Sequence, residues 1–234
     1  MIEIGIPFSD PIAEGKTIEY AHHKSLENGF NYDDLFKITR KFKDISNTPI
    51  IAMGYTNSFI NPSPEDFSKN LALANFDGIL VTPATKNTMA AFSHGMMNGP
   101  LLMALSAARG KNTPIMFVPS MHNDLAEDIV TKEVEKECRL LGCEVYWGPN
   151  EEGKMKTPDY KVVVAKFSNF LNKNNTSVVI TLGATQSSID DVRFIQNSSS
   201  GKTGYLIADY LYRKGMDITC VIGATEVSAP AFLP

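Results

Sequence analysis

Seven short runs rich in β-branched and other apolar residues, at 2–6, 48–53, 77–82, 114–118, 143–147, 177–182 and 217–222, are separated by segments with helical spacing. No other feature limits the possible folds so strongly. Helices are expected at 17–28, 32–45, 63–75, 86–96, 99–109, 125–141, 159–173 and 201–214. Strands that alternate with helices of this length make βαβ units and a mostly parallel sheet. The expected class is therefore α/β, with a mostly parallel sheet and helices on both faces. The helix punctuation agrees. Asn28-Gly29 and Leu141-Gly142 read as C-terminal stops. Ser63-Pro64-Glu65-Asp66 reads as an N-cap followed by Pro and acids in the first turn. Asn172-Lys173-Asn174-Asn175 is the best linker candidate.

Two strand-to-helix corners stand out. Gly78-Ile79-Leu80-Val81 runs into Thr82-Pro83-Ala84-Thr85-Lys86-Asn87-Thr88, and Ile115-Met116-Phe117-Val118 into Pro119-Ser120-Met121-His122-Asn123. In a parallel sheet both corners lie on the carboxyl edge, where open α/β folds bind ligands. Thr and Asn side chains with first-turn N–H groups suit a phosphate or a flavin. The same residues also suit a plain helix start. A net charge of -4 argues against a nucleic-acid surface. No run is long enough to span a bilayer, and no basic-then-apolar leader is visible. The three cysteines, Cys138, Cys143 and Cys220, form no ligand-like framework, so no metal site is expected and a cytoplasmic, reducing setting is.

The first segment reads Glu3-Ile4-Gly5-Ile6-Pro7-Phe8-Ser9-Asp10-Pro11-Ile12-Ala13-Glu14-Gly15. Carboxylates near a strand end can divide acid and base roles if their environments separate their pKa values; a turn cap and a solvated acid are the plainer alternative. From Glu3 through Met53-Gly54-Tyr55-Thr56-Asn57 to about Val81, the segment resembles the α subunit of tryptophan synthase, a (βα)8 barrel that cleaves indole-glycerol phosphate. The resemblance implies catalytic roles for Glu3, Glu14 and Tyr55. It begins at the barrel's second strand and ends near its fourth, so the later phosphate loops have no counterpart. Glu14 stands where that family has Asp.

From about Leu73 the resemblance changes. The Thr82–Thr88 corner, the glycines Gly95 and Gly99, and Pro119-Ser120-Met121-His122 are similar to phosphopantothenoylcysteine decarboxylases, flavodoxin-like FMN enzymes of coenzyme A synthesis. So is Gly148-Pro149 with Glu152-Gly153-Lys154-Met155, which matches their substrate clamp. The resemblance implies FMN contacts at Thr82, Ala84, Thr85, Asn87 and Thr88. It implies substrate contacts at Met121, His122, Lys154 and Met155, with His122 also catalytic. The flavin oxidises a cysteinyl thiol to a thioaldehyde in that family, easing loss of carbon dioxide. The family's first phosphate loop is absent, and its catalytic His falls near Lys69. His22 and His23 are expected on a helix surface, and His94 over the flavin corner.

The third segment begins Val178-Val179-Ile180-Thr181-Leu182-Gly183-Ala184-Thr185 and continues through Phe194-Ile195-Gln196-Asn197-Ser198-Ser199-Ser200-Gly201-Lys202. A small-residue turn and Ser-Ser-Gly entering a helix make a phosphate cradle. This stretch resembles the start of phosphopantothenoylcysteine synthetase. It implies nucleotide contacts, CTP with Mg2+, at Gly183, Ala184, Thr185, Asn197, Ser199, Ser200 and Gly201, with Asn197 also on the acyl-nucleotide intermediate.

Three domains are thus expected: 1–80, synthase-like and completing the sheet; 73–172, the flavin domain; and 176–234, a partial nucleotide-binding unit. The whole reads as a hybrid or truncated chain; the resemblances imply that the first two pieces form one five-stranded flavodoxin-like sheet and that 177–234 begins a second, Rossmann-like unit. Three functions remain open. They are a coenzyme A biosynthetic flavoenzyme, a tryptophan-synthase-like lyase, and a non-catalytic flavin or nucleotide binder. A small-molecule substrate and a homo-oligomer are expected partners.

Overall fold

The computed structural model describes residues 2–11, 15–55, 63 and 76–233. Two compact units divide between Pro158 and Asp159. The expected helix over 63–75 lies outside the described residues from 64 onward, as do Glu14 and Lys69.

In the first unit, β1 (Ile2–Gly5), α1 (Lys16–Glu27), α2 (Tyr32–Ile45) and β2 (Ile50–Met53) come first. Then follow β3 (Ile79–Ala84), α3 (Lys86–Ser93), α4 (Pro100–Gly110) and β4 (Ile115–Pro119). The unit ends with β5 (Met121–His122), α5 (Asn123–Ala126), α6 (Ile129–Leu140), β6 (Glu144–Val145), β7 (Asn150–Glu151) and β8 (Lys154–Met155). Local chemistry accounts for the boundaries. Asn31 caps α2 by accepting the Asp33 N–H at 2.8 Å, with Asp33 and Asp34 in the first turn. Gly29 and Gly142 follow α1 and α6 in the left-handed conformation that stops a helix.

All the long pairings are parallel. β1 pairs with β2, and β3 with β4, which pairs with β6. All five residues of β4 are buried, as expected of a strand covered on both faces. Met89 and Phe92 of α3, Leu105 and Ala108 of α4, and Val134 and Cys138 of α6 pack against Val81, Phe117 and Val145. The expected single five-stranded sheet is not formed. β2 and β3 share no ladder. They meet at one point, where the Asp77 N–H donates to the Ile50 carbonyl at 3.2 Å and the Asp77 carboxylate accepts the Ile50 N–H at 2.7 Å. The side chain takes the donor that a neighbouring strand would otherwise use, and beyond it the strands part.

In the second unit, α7 (Tyr160–Asn172), β9 (Ser177–Leu182), β10 (Gln186–Ser188), β11 (Phe194–Gln196), α8 (Lys202–Arg213) and β12 (Asp217–Ile222) follow in order. β9 and β12 are parallel, and β10 and β11 form a hairpin. Ala165 of α7, Ala208 and Tyr212 of α8, Ile218 and Phe232 make the core.

Candidate functional site

The two corners adjoin. Ala84 is opposite Pro119 in register, and the Ser120 N–H donates to the Ala84 carbonyl at 3.2 Å. Thr82 is exposed and joined to Pro83 by a cis peptide; Ala84 is buried. Thr85 is the N-cap of α3. Its hydroxyl oxygen accepts the Thr88 N–H at 3.2 Å and lies 3.0 Å from the Thr88 hydroxyl. Helix geometry leaves the N–H groups of Lys86 and Asn87 outside the intrahelical ladder. Lys86 is half-buried and Asn87 is exposed. The Lys86 ammonium is paired with Asp128 at the start of α6, which holds the Asp128 carboxyl below the usual carboxylate range. His94 is at the opposite end of α3, where it is the C-cap. It does not cover the corner.

The four expected substrate residues converge on one small antiparallel sheet. Met121 pairs with Met155 and His122 with Lys154, and β7 adds Asn150 and Glu151 on the outer side of β8. Ser120 donates its hydroxyl to the Met155 carbonyl at 3.1 Å, and the Asn123 N–H donates to the Gly153 carbonyl at 3.0 Å. The Asn123 amide donates to the Asn150 side chain at 2.9 Å. Ser120 and Asn123 belong to the corner that the sequence singled out, without an assigned role there, and Asn150 was not foreseen. Their polar types between a strand end and a turn were the available signal. His122 is exposed at the N-cap position of α5, and its side chain makes no cap bond.

A cavity of about 280 Å³ opens where β2 and β3 part. Ala52 and Met53 line one wall, Ile79, Leu80 and Val81 the other, with Leu101, Ala104 and Ala108 of α4 across them. Glu3 of β1 and Thr82 and Pro83 of the corner also reach it. Tyr55, the other expected catalytic residue here, stacks on Phe8 with centroids 4.9 Å apart. Asp10 is exposed and accepts the Ser9 hydroxyl at 3.1 Å.

In the second unit the turn after β9 meets the chain after β11. The Thr185 N–H donates to the Asn197 side-chain oxygen at 2.7 Å. Ser200 Oγ accepts the Lys202 N–H at 3.4 Å, and the Ser200 carbonyl accepts the Glu226 N–H at 3.2 Å. Gly201 is the N-cap of α8 at φ 81°; a Cβ there would sit 2.6 Å from Thr225 Cγ2. The Ala184 N–H donates to the Ala224 carbonyl at 2.7 Å. Gly183, Ala184, Thr185, Asn197, Ser199, Ser200 and Gly201 therefore lie around one strand edge, joined by Ala224–Glu226, which the sequence reading missed. Its local mark was Gly223-Ala224-Thr225 immediately after β12, which repeats Gly183-Ala184-Thr185 after β9.

Comparison with known proteins matches two families in succession. The model of the tryptophan synthase alpha chain matches residues 1–117. That of the DNA/pantothenate metabolism flavoprotein C-terminal domain matches residues 173–233. The coenzyme A biosynthesis bifunctional protein CoaBC of Thermococcus kodakarensis is 33% identical over 160 residues, 67% of this chain and 39% of that protein. The tryptophan synthase alpha chain of the same organism is 47% identical over 81 residues, 35% of this chain and 32% of that protein. The tryptophan synthase complex from Pyrococcus furiosus matches at 24% identity and a TM-score of 0.34, over 64% of this chain and 66% of that one. The chain spans about a third to two fifths of the length of these curated relatives. The molecule is thus a hybrid α/β chain of two metabolic lineages. Over its first half, residues 1–117, it belongs to the tryptophan synthase alpha chain family, and beyond that segment it carries CoaBC-like sequence. Among the described residues no helix is long and apolar enough to cross a membrane.

Proposed function

We propose that the chain is a flavin-binding protein of the coenzyme A biosynthetic type, acting on a phosphopantothenoylcysteine-like small molecule. The observation that carries this reading is the adjacency of the Ala84 and Pro119 corners, with the Met121–Met155 sheet continuing from the second corner. In this reading Thr82, Ala84, Thr85, Asn87 and Thr88 hold the flavin, the Lys86 and Asn87 N–H groups supplying donors to its polar edge. Bound FMN supplies a two-electron oxidation of a cysteinyl thiol that eases loss of carbon dioxide. Met121 packs against the substrate's apolar arm, Lys154 meets its anionic end, and His122 holds or moves a proton at the reacting carboxylate end. Asn197, Ser199, Ser200 and Gly201 take a nucleotide phosphate, CTP with Mg2+, at the second unit. The assembly is a homo-oligomer.

The test is titration with FMN, followed by flavin absorbance and by fluorescence of Trp147, the single tryptophan. A saturable change that weakens in Asn87→Ala supports the reading; unchanged spectra at excess FMN overturn it. Flavin binding without decarboxylation of phosphopantothenoylcysteine would mark a non-catalytic flavoprotein. A second reading, a lyase acting on indole-glycerol phosphate, is favoured by Glu3 lining the cavity beside Met53 and Leu80. It requires indole release that is lost in Glu3→Gln.

A further inference from the structure

We propose that His22 is a proton-released latch on the loop that joins β1 to α1. The sequence placed His22 and His23 together on a surface; the structure separates them. His23 is exposed, while His22 is only 5% exposed. Its Nδ1 accepts the backbone N–H of Phe8 at 2.8 Å, fourteen residues back along the chain. A ring nitrogen that accepts carries no proton, so the neutral ring holds its proton on Nε2. Phe8 stacks on Tyr55, whose ring lies 6.4 Å from that of His22 at 74°. One imidazole therefore ties together α1, the loop Pro7–Pro11 and the chain that leaves β2.

Protonation turns the Nδ1 acceptor into a donor that faces a donor. The bond to Phe8 then breaks, and the loop loses the contact that fixes it to α1. Tyr55 faces the ring from the chain after β2. Asp10 is the charged group of the described loop, exposed and bonded to Ser9. On α1, Glu19, His23 and Lys24 are exposed, and Lys24 pairs with Glu27. The Phe8 N–H is the hydrogen-bond partner of Nδ1 among the described residues, and it senses the charge of the ring. The loop runs directly on from β1, the strand that carries Glu3.

The experiment uses the full chain labelled with 15N. Ring spectra at about pH 8 should show the Nε2-H tautomer for His22, and the Phe8 amide shift should change together with the ring signals as the ring gains its proton. Protection of the Phe8 amide against hydrogen exchange, corrected for intrinsic rates, should fall by about tenfold or more between about pH 8 and about pH 5. In His22→Asn, Oδ1 stands in for Nδ1 and cannot protonate, so protection should persist at both pH values. In His22→Phe the acceptor is gone, and protection should be low at both. An Nδ1-H tautomer in the native protein, a Phe8 amide whose protection ignores pH, or unaltered pH dependence in His22→Asn each overturns the latch. The His22→Asn comparison decides the matter even if His22→Phe does not fold.

Discussion

Replacing Asp77 by Ala tests whether the seam between β2 and β3 is held electrostatically. The Asp77 carboxylate accepts the Lys43 ammonium of α2 at 2.6 and 2.8 Å and the Ile50 N–H at 2.7 Å. The Lys43 and Asp77 side chains are 16% and 31% exposed, so the pair is shielded without being fully desolvated. A hydrogen bond to a charged group contributes about 1.5–3 kcal/mol. Breaking a fully buried pair costs about 3–5 kcal/mol, and an exposed one about 0–1. For this intermediate site Asp77→Ala should cost about 2–3 kcal/mol, since it leaves the Ile50 N–H unpaired and Lys43 with the Thr48 carbonyl at 3.5 Å. Asp77→Asn keeps an acceptor for Ile50 and should cost about 1–2 kcal/mol. With Lys43→Met the double-mutant cycle should return a coupling of about 1 kcal/mol. Urea unfolding read by Trp147 fluorescence is the assay, because Trp147 lies in the same compact unit and donates to Glu135 at 2.8 Å. An Asp77→Ala loss below about 0.5 kcal/mol, or a cycle that sums to zero, refutes the reasoning.

The other predictions concern the thiols, the corner and the clamp. Burial pushes the Cys138 thiol up to about 12 and that of Cys143 up to about 11. Above the unfolded thiol pKa, near about 8.5, the native state keeps protons that the unfolded state releases, so stability falls as pH rises from there through the folded values. Urea midpoints at rising alkaline pH check this, and Cys138→Ala and Cys143→Ala together should flatten the slope. Thr85→Ala removes the cap on Thr88 and should cost about 1 kcal/mol, whereas Thr85→Ser should cost little; matched urea curves decide between cap and bystander. Gly148→Ala should disrupt the clamp, since a Cβ there would overlap the Lys156 carbonyl oxygen and come within 2.8 Å of Pro158 Cδ. Amide spectra in which Met121, His122 and Met155 keep their native shifts would contradict that.

The long elements were legible because each carries its own signal. Ile115–Pro119 is a continuous apolar run, and it is the strand buried throughout. The Thr82–Thr88 and Pro119–Asn123 corners could be put on one edge because parallel strands end together. The short antiparallel pieces could not be read in this way. Two-residue strands such as Met121–His122 and Lys154–Met155 have no period to detect. Their pairing depends on a turn at Gly153 and on the Ser120 hydroxyl, contacts that exist only once the chain has returned. His22 was misread for a related reason. Its helix is polar enough to look solvated, and only the loop folding back from Phe8 buries it.

The parting of β2 and β3 follows from how the two successive βα segments bury apolar surface. Ile6, Leu35 and Phe36 close one core with residues of the first segment, including Ala52 and Phe76. Val81, Phe92, Leu105, Phe117 and Val134 close another with residues of the second. Each βα layer is satisfied by its own helix, so nothing apolar compels the strands to continue as one sheet. What remains at the seam is polar and local: Asp77 satisfies Ile50 and Lys43, and the ladder stops there. The alanines of α4 then face the gap with side chains too short to fill it, and the cavity beside Glu3 is what is left. Larger residues at Ala104 and Ala108 should occupy that space, raising stability if the walls hold still and lowering it if they must move.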